Sequence, residues 1–398
     1  MARDARLTLP TPPSHGPEPP RARFQPPGGS RRRSRAGRLP ALALCLTAAL
    51  LTAGLWAGQA AGQEAGAEAA RLSLDEAIEI ALRQGPDRQA ADLALELARL
   101  EYEQAKANLL VSPSPVSGRE AESAWRNAQL EHEASLASLT LQVAEAYYDL
   151  IRSLQQVELS QGNLEQVQRQ LEAAQVRHAA GALADLDLKQ TRQQLRQAEM
   201  QLEADQRALV AAQRALNQLL GRPLDEPVLP AETELLFEPV PVDLETALAS
   251  ALAQRLEILQ AQDRVETARI TLELAQNPFT PRLDQARAEL QLKQAEQALE
   301  QARLRVELEV RNAYDALQAA AAQVPLREAA AELAAEQLRI TQLRFEAGTI
   351  TSLDVTEAQQ KAFEAQVSVL NALFDYRISL ARFLQAAQLD GLAGTVTD

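Results

Sequence analysis

The chain has 398 residues, of which 54 are acidic and 40 basic, so its formal net charge is −14. This acidic balance argues against nucleic acid as a partner. Aromatic residues make up only 4% of the sequence, too few large side chains for several compact cores, so the composition favours elongated helices that meet along narrow seams of Ala, Leu and Val.

The first 60 residues form a separate segment that is typical of an export signal. A Pro-rich start precedes the basic run RRRSRAGR (31–38) and a long apolar run that ends in small residues up to Ala60. This order predicts a signal peptide, although the apolar run is nearly long enough to be an uncleaved membrane anchor. The Pro-rich extension is also consistent with a misassigned start codon. Without residues 1–60 the body carries a charge of −21 and has no Cys, because Cys45 is the only one.

The body consists of two similar halves. The stretch LDEAIEIAL at Leu74 resembles LETALASAL at Leu244, 170 positions later, whereas Tyr147 and Tyr314 match at an offset of 167. The second copy has therefore lost three residues, and the segments rich in helix breakers at 109–118 and 277–284 are the natural places for that loss. The predicted organisation is a first helical repeat at 71–221, a Pro-rich linker at 222–241 and a second helical repeat at 242–391.

Heptad spacing of apolar residues predicts an all-α fold of long antiparallel helical hairpins in two tandem repeats. One series runs from Val143 to Leu171 and another from Leu188 to Leu216. We expect helices near 86–108, 120–178 and 186–220 in the first half, with equivalents in the second. Pro325 should kink or break the second long helix, because proline lacks the N–H that the helix needs.

Two related stretches mark where long helices should end, RHAAGALADLDL (177–188) and RFEAGTITSLDV (344–355). Gly181 and Gly348 are suited to a left-handed C-cap, after which the chain reverses into an antiparallel partner helix. The next helix could be capped by Asp185 or Asp187 in the first stretch and by Ser352 or Asp354 in the second. We call these two turns the hairpin tips.

The sequence contains no recognisable catalytic, metal or cofactor motif. The three His residues are scattered, and no Cys lies outside the predicted signal. A nucleophile or metal site would need a cluster of such side chains. We therefore expect no enzymatic activity, no cofactor and no metal.

Four features together resemble the TolC family of outer-membrane efflux and secretion proteins, over about 71–391. They are the opening LSLDEAIEIAL, the tip RFEAGTITSLDVTEAQ, the half-ending ALNQLLGRP and the tandem duplication. The resemblance implies a cell-envelope homotrimer whose hairpins form a coiled-coil-like periplasmic tunnel. It also implies docking to a periplasmic membrane-fusion adaptor and an inner-membrane pump, and export of cargo without chemistry.

The resemblance also implies roles for individual residues. In the family, acidic residues six and nine positions after the second tip Gly line the tunnel entrance, and the matching residues here are Asp354 and Glu357. In the first half only Asp187 matches, because Gln190 stands at the second position. Capping remains an alternative role for Asp187 and Asp354. The adaptor-docking residues implied at the tips are Arg177, Gly181, Leu186, Arg344, Gly348, Thr349 and Leu353.

The sequence departs from the family in one respect. Family members place two transmembrane strands per half between the second and third helices, and each spanning strand needs about 9 to 11 residues. The segments 109–118 and 277–284 are too short for this and contain prolines. The sequence therefore predicts a tunnel protomer without a β-barrel, and leaves open how the chain is held at a membrane.

Two functional hypotheses remain at this stage. The first is the export conduit of a tripartite efflux or type I secretion system. The alternative is a helical scaffold or spacer of the cell envelope, tethered to a membrane by its N-terminal segment and without transport activity. An enzyme is the least favoured class, and the sequence does not identify a cargo.

Overall fold

The computed structural model describes residues 70–389, which form eight α-helices and two short β-strands. In chain order these are β1 (Ala70–Leu72), α1 (Leu74–Gln84), α2 (Pro86–Val111), α3 (Pro115–Ala179), α4 (Asp185–Leu220), β2 (Val228–Pro230), α5 (Leu244–Gln254), α6 (Leu256–Ala275), α7 (Arg282–Glu346) and α8 (Ser352–Ala386). The predicted fold of long helical hairpins in two repeats is confirmed. The predicted signal segment at 1–60, and residues 390 and 391, lie outside the described residues.

The duplication is visible in the element lengths. Helices α1 and α5 have 11 residues each, and α3 and α7 have 65 each. Helix α6 begins 170 positions after α2, whereas α7 begins 167 positions after α3. The second repeat is therefore three residues shorter than the first between the start of α6 and the start of α7, as the sequence predicts.

Local signals explain where several helices begin. Ser73 caps α1 in a capping box with Glu76, whose carboxylate accepts from the Ser73 N–H at 2.9 Å. Proline occupies the first position of both α2 and α3, where its missing N–H costs nothing. Ser114 adds a side-chain cap to α3. The long helices therefore start at residues that the sequence marks for that purpose.

Each long helix packs along its partner, α3 with α4 and α7 with α8, and the two hairpins meet where α3 lies against α8. Helix α2 packs on α3, and α6 packs on α7 and also touches α3. One buried core surrounds Tyr147 of α3, and a second surrounds Tyr376 and Phe383 of α8. β1 and β2 pair in parallel beside the first core.

The linker between the halves is held by tyrosines on both hairpins. The hydroxyl of Tyr147 on α3 hydrogen-bonds to Glu232. The hydroxyl of Tyr376 on α8 donates to the carbonyl oxygen of Glu238 at 2.7 Å and accepts from the N–H of Val240 at 3.1 Å. The linker therefore crosses the seam between α3 and α8, and we call these contacts the linker clasp.

Helix α7 continues without interruption through Pro325. The break that the sequence allowed at this position does not occur. Val324 and Leu317 on the same helix are fully buried in the second core, which α7 shares with α8. This packing holds the backbone helical even though one hydrogen bond is missing at the proline.

Within residues 70–389, no helix combines the length and the apolar composition that a membrane span requires.

Candidate functional site

The hairpin tips have the same backbone structure in both halves. Gly181 and Gly348 adopt the left-handed conformation, with φ of 73° and 70°. At the second tip the N–H of Thr349 donates to the carbonyl oxygen of Arg344 at 3.0 Å, and the same bond exists 167 positions earlier. This is the glycine C-cap that the sequence predicts. A Cβ added at either glycine would meet no atom within 4 Å, so the surface above both turns is open.

The helices that follow the tips are capped differently. Thr351 is the N-cap of α8: its Oγ1 accepts from the N–H of Asp354 at 3.4 Å, while the Asp354 carboxylate accepts from the Thr351 N–H at 2.8 Å. The equivalent N-cap of α4 is Ala184, which has no side-chain cap. Of the predicted capping residues, Asp354 takes part and Ser352, Asp185 and Asp187 do not. The Thr-x-x-Asp spacing was the available sequence signal for Thr351.

Hydrogen bonds lower the pKa values of two tip carboxylates, Asp354 and Asp185. The Thr351 hydroxyl, and then the Thr351 N–H, lower the pKa of Asp354 by stabilising its charged form. The Lys189 ammonium, 2.7 Å from Asp185, lowers the pKa of that carboxylate by a hydrogen bond and by its charge. Both groups are therefore ionised at neutral pH.

The three predicted entrance acids lie near the starts of α4 and α8, with Asp187 and Asp354 in the first turns and Glu357 in the second turn of α8. Asp187 is half-buried, and its Oδ1 lies 3.4 Å from the hydroxyl of Ser352 on the other hairpin. Asp354 is exposed but turned back onto its own helix by the cap. The carboxylate of Glu357 is exposed and makes no hydrogen bond or ion pair with any residue of 70–389. Glu357 is thus the acid that is available to solvent ions.

Contacts between the two tips also involve Phe345, Gln194 and Thr356, which the sequence did not single out. The Arg177 guanidinium lies 4.8 Å from the ring centre of Phe345, and Gln194 Nε2 donates to Thr356 Oγ1 at 2.6 Å. Between these contacts lies a cavity of about 290 Å³ lined by α3, α4, α7 and α8. No local pattern predicts such pairs, because they join different hairpins.

The predicted docking residues are mostly accessible. Leu186 and Leu353 are 65% and 49% exposed, and Arg344 and Thr349 are also exposed. Arg177 differs from its repeat partner Arg344 because it is half-buried against Phe345. The tips therefore present apolar and polar side chains beside an uncovered glycine backbone.

Two grooves flank the seam between α3 and α8, between the tips and the linker. Their volumes are about 670 Å³ and 510 Å³. Asn163 and Gln359 line both grooves, and Gln359 Nε2 is buried there without a hydrogen-bond partner in the protein. The two grooves therefore interrupt the packing along this part of the seam. In the described part of the chain, no cluster of His, Cys, Asp or Glu has the size that a metal site requires.

Several solved outer-membrane proteins share this fold. The outer membrane protein VceC of Vibrio cholerae has 17% identity and a TM-score of 0.64, covering 79% of this chain and 95% of its own. The outer membrane channel CmeC of Campylobacter jejuni has 15% identity and a TM-score of 0.66, with coverage of 79% and 85%. The outer membrane channel MtrE of Neisseria gonorrhoeae has 18% identity and a TM-score of 0.62, with coverage of 79% and 89%.

No curated protein sequence matches the chain. The family described as outer membrane efflux protein matches residues 117–222 and 282–387, which is one segment in each half and together more than half of the chain. These segments contain both hairpins and both tips. The chain therefore belongs to the outer membrane efflux protein family and is an efflux channel component of the cell envelope, which confirms the resemblance seen in the sequence.

Proposed function

We propose that the protein is the export conduit of a tripartite efflux or type I secretion system, assembled as a homotrimer whose hairpins form a tunnel. The observation that carries this proposal is the pair of repeat-related tips, each capped by a glycine with open space above it. Such tips form a paired, structurally equivalent surface at one end of the hairpins. No enzymatic step is part of this function.

The tips dock on a periplasmic membrane-fusion adaptor, which connects the conduit to an inner-membrane pump. A Cβ added at Gly181 or Gly348 would meet nothing within 4 Å. Because glycine has no side chain, a partner can approach the backbone at these two positions more closely than if another residue stood there. The exposed Leu186 and Leu353 beside the glycines supply apolar area for such a contact. Arg344 and Thr349 add polar groups, and Arg177 supports the surface through Phe345.

The N-terminal ends of α4 and α8 form the tunnel entrance. In a trimer, three copies of Asp187, Asp354 and Glu357 would surround a narrow opening and concentrate negative charge there. Cations would be attracted to this ring and would block or slow flow. Glu357 contributes most directly to this effect, because its carboxylate has no partner among the described residues.

The docking part is tested by substitutions at the second tip. Gly348→Val should weaken adaptor binding at least about tenfold, because a β-branched side chain both resists positive φ and covers the open backbone. Leu353→Ala should also weaken binding, whereas Leu333→Ala should not, since Leu333 is exposed on α7 away from the tip. Binding to the adaptor and thermal unfolding are measured on the same samples. Equal binding by all four proteins would contradict docking at the tips.

The entrance is tested by ion flow through the assembled protein. Glu357→Gln is the cleaner probe, because Glu357 takes no part in the helix cap that Asp354→Asn disturbs. We expect Glu357→Gln to relieve cation block without lowering the melting temperature. The double variant Asp354→Asn with Glu357→Gln should relieve it further. Unchanged flow together with a lower melting temperature in the double variant would leave Asp354 with the capping role alone.

A gene deletion separates export from the scaffold alternative. Loss of a conduit should raise the sensitivity of the cells to toxic compounds, whereas loss of a spacer should alter the shape or integrity of the envelope. Restoring resistance with the wild-type gene but not with the Gly348→Val gene would link export to the tips.

A further inference from the structure

The larger of the two grooves beside the seam between α3 and α8 has a polar end and an apolar end. Helix α3 runs towards the tips and α8 runs away from them, so the lining residues can be ordered along the groove. The end nearest the tips is lined by four carboxamides, those of Asn163, Gln166, Gln342 and Gln359. The end nearest the linker is lined mainly by aliphatic side chains, those of Leu159, Leu235, Val369, Leu370 and Leu373. Its volume of about 670 Å³ is in the range of small-molecule sites.

The carboxamides of this groove lack hydrogen-bond partners. Gln359 is only 7% exposed, and its Nε2 is buried without an acceptor. The side chains of Asn163, Gln166 and Gln342 also make no hydrogen bond with any residue of 70–389. A buried donor without an acceptor is unfavourable, and a ligand that supplies an acceptor oxygen removes that cost. The polar end of the groove therefore favours a ligand with a carbonyl, sulfonyl or similar oxygen.

Gly162 keeps the middle of the groove open. It lies in the interior of α3, where glycine lowers helix stability relative to alanine. A Cβ at this position would meet no atom within 4 Å, so packing against the described residues does not require the glycine. Its missing side chain leaves space inside the groove, which Phe363 of α8 also lines. An aromatic or aliphatic part of a ligand can occupy that space against the phenyl ring.

The end of the groove nearest the linker is negatively charged. Glu158 and Glu234 line it, both are exposed, and neither forms an ion pair with a residue of 70–389. Of the described residues that line the groove, only Arg339 is basic, and it donates two hydrogen bonds of 2.7 Å to Glu336. Arg377 lies near Glu234 but donates to a backbone carbonyl oxygen of the linker at 2.9 Å. A positively charged group is therefore favoured at this end.

We propose that this groove binds an elongated amphipathic organic cation. Its positive group lies at Glu158 and Glu234, its apolar part lies against Phe363, and its acceptor oxygen meets the amide of Gln359. Glu158 and Gln166 are about 12 Å apart along α3 at a rise of 1.5 Å per residue, so the charge and the acceptor belong at opposite ends of the ligand. The ligand contacts α3 of one hairpin and α7 and α8 of the other. This site is separate from the tips and does not depend on the proposed export function.

Three dansyl compounds test the proposal with the full chain. Dansylcadaverine has an aromatic ring system, sulfonyl oxygens and an alkylammonium group at the far end of a flexible chain. Its N-acetyl derivative is neutral, and dansyl-aminohexanoate is anionic. We expect saturable binding of dansylcadaverine with a blue shift of its fluorescence, about tenfold weaker binding of the acetyl derivative and still weaker binding of the anion.

A substitution that fills the groove locates the site. Gly162→Leu should weaken the binding of dansylcadaverine at least about tenfold, because the new side chain occupies the space that the ligand needs. Ala329→Leu is the matched control, since Ala329 is the repeat-related residue of α7, is exposed and does not line the groove. Dansylcadaverine should raise the melting temperature of the wild type and of Ala329→Leu but not that of Gly162→Leu, because a ligand that binds only the folded state stabilises it.

Removal of the carboxylates tests the role of charge without filling the groove. Glu158→Gln with Glu234→Gln should weaken the binding of dansylcadaverine about tenfold and leave that of the neutral derivative unchanged. Glu165→Gln with Glu172→Gln removes two exposed charges of α3 that do not line the groove, and it should leave both affinities nearly unchanged.

Four results would overturn the proposal. The first is the absence of saturable binding to the wild type. The second is equal binding by Gly162→Leu and Ala329→Leu, which would place the compound outside the groove. The third is equal affinity for the cationic, neutral and anionic compounds, which would remove the role of the carboxylates. The fourth is binding that is lost in Glu357→Gln but kept in the groove variants, which would place the cation at the tips.

Discussion

The guanidinium of Arg177 lies over the ring of Phe345, 4.8 Å from its centre, and joins the last turn of α3 to the last turn of α7. The repeat-related pair is Arg344 and His178, since each lies 167 positions from its counterpart, and Arg344 is exposed instead. The two tips therefore share a backbone but differ in the side chains that connect them.

A double-mutant cycle should detect this contact. Arg177→Ala and Phe345→Ala should show a coupling of about 0.5–1 kcal/mol in the free energy of unfolding, because a cation over an aromatic ring at a partly exposed site contributes that much. Arg344→Ala combined with Phe345→Ala serves as the control and should show additivity, since adjacent residues on a helix do not face each other. Urea unfolding measures all the variants. Equal coupling in the two cycles would contradict the assignment.

Substitutions at the N-caps of α4 and α8 should change the stability of the protein in opposite directions. Thr351→Ala should destabilise the protein by about 1 kcal/mol, because it removes the N-cap of α8. Ala184→Ser should stabilise it by about 0.5–1 kcal/mol, because the N-cap of α4 has no side-chain oxygen at present. Amide hydrogen exchange in the first turns of α4 and α8 localises the changes. A loss of protection in α4 after Ala184→Ser would contradict the prediction.

Stability should depend on pH through Asp354. The hydrogen bonds from Thr351 lower its folded pKa below the unfolded value of about 3.9. Its contribution is therefore complete above about pH 3.9 and is lost as the pH falls through the folded pKa. The melting temperature of Asp354→Asn should lie below that of the wild type at neutral pH, and the difference should shrink under acid conditions. A difference that grows with acidity would contradict this sign.

Two glycines should differ in what they tolerate. Gly348→Ala should cost about 1 kcal/mol, because only the left-handed backbone opposes it and the surrounding space is empty. Gly85→Ala should cost about 3 kcal/mol, because its Cβ would lie 2.5 Å from the Ala81 carbonyl oxygen and 2.8 Å from that of Leu219. Both backbone oxygens belong to packed helices and cannot move aside. Chemical unfolding of the two variants gives the comparison.

Much of the fold follows from local sequence. Heptad spacing predicts the long helices, and the repeated glycines predict the tips, because each signal acts within a few residues of the place it determines. Pro325 shows the limit of this approach, since packing of α7 against α8 overrides a strong local preference.

The site was less predictable, for a physical reason. The cap at Thr351 could have been identified from its spacing to Asp354, but the contacts of Arg177 with Phe345 and of Gln194 with Thr356 join different hairpins. Such pairs depend on how α3, α4, α7 and α8 are arranged in space, and no periodicity in the chain specifies that arrangement.

The tips lie far from the linker clasp, so a small rotation at the clasp moves them a long way. Tyr147 is 32 residues from the end of α3, or about 48 Å at a rise of 1.5 Å per residue. If one hairpin turns by about 5° against the other at the clasp, its tip moves by about 4 Å. A displacement of this size would break the 2.6 Å hydrogen bond between Gln194 and Thr356. The hydrogen bonds of Tyr376, which lie near the pivot, would hardly lengthen. A small angular change at mid-length is thus mechanically amplified into a wide separation at the tips.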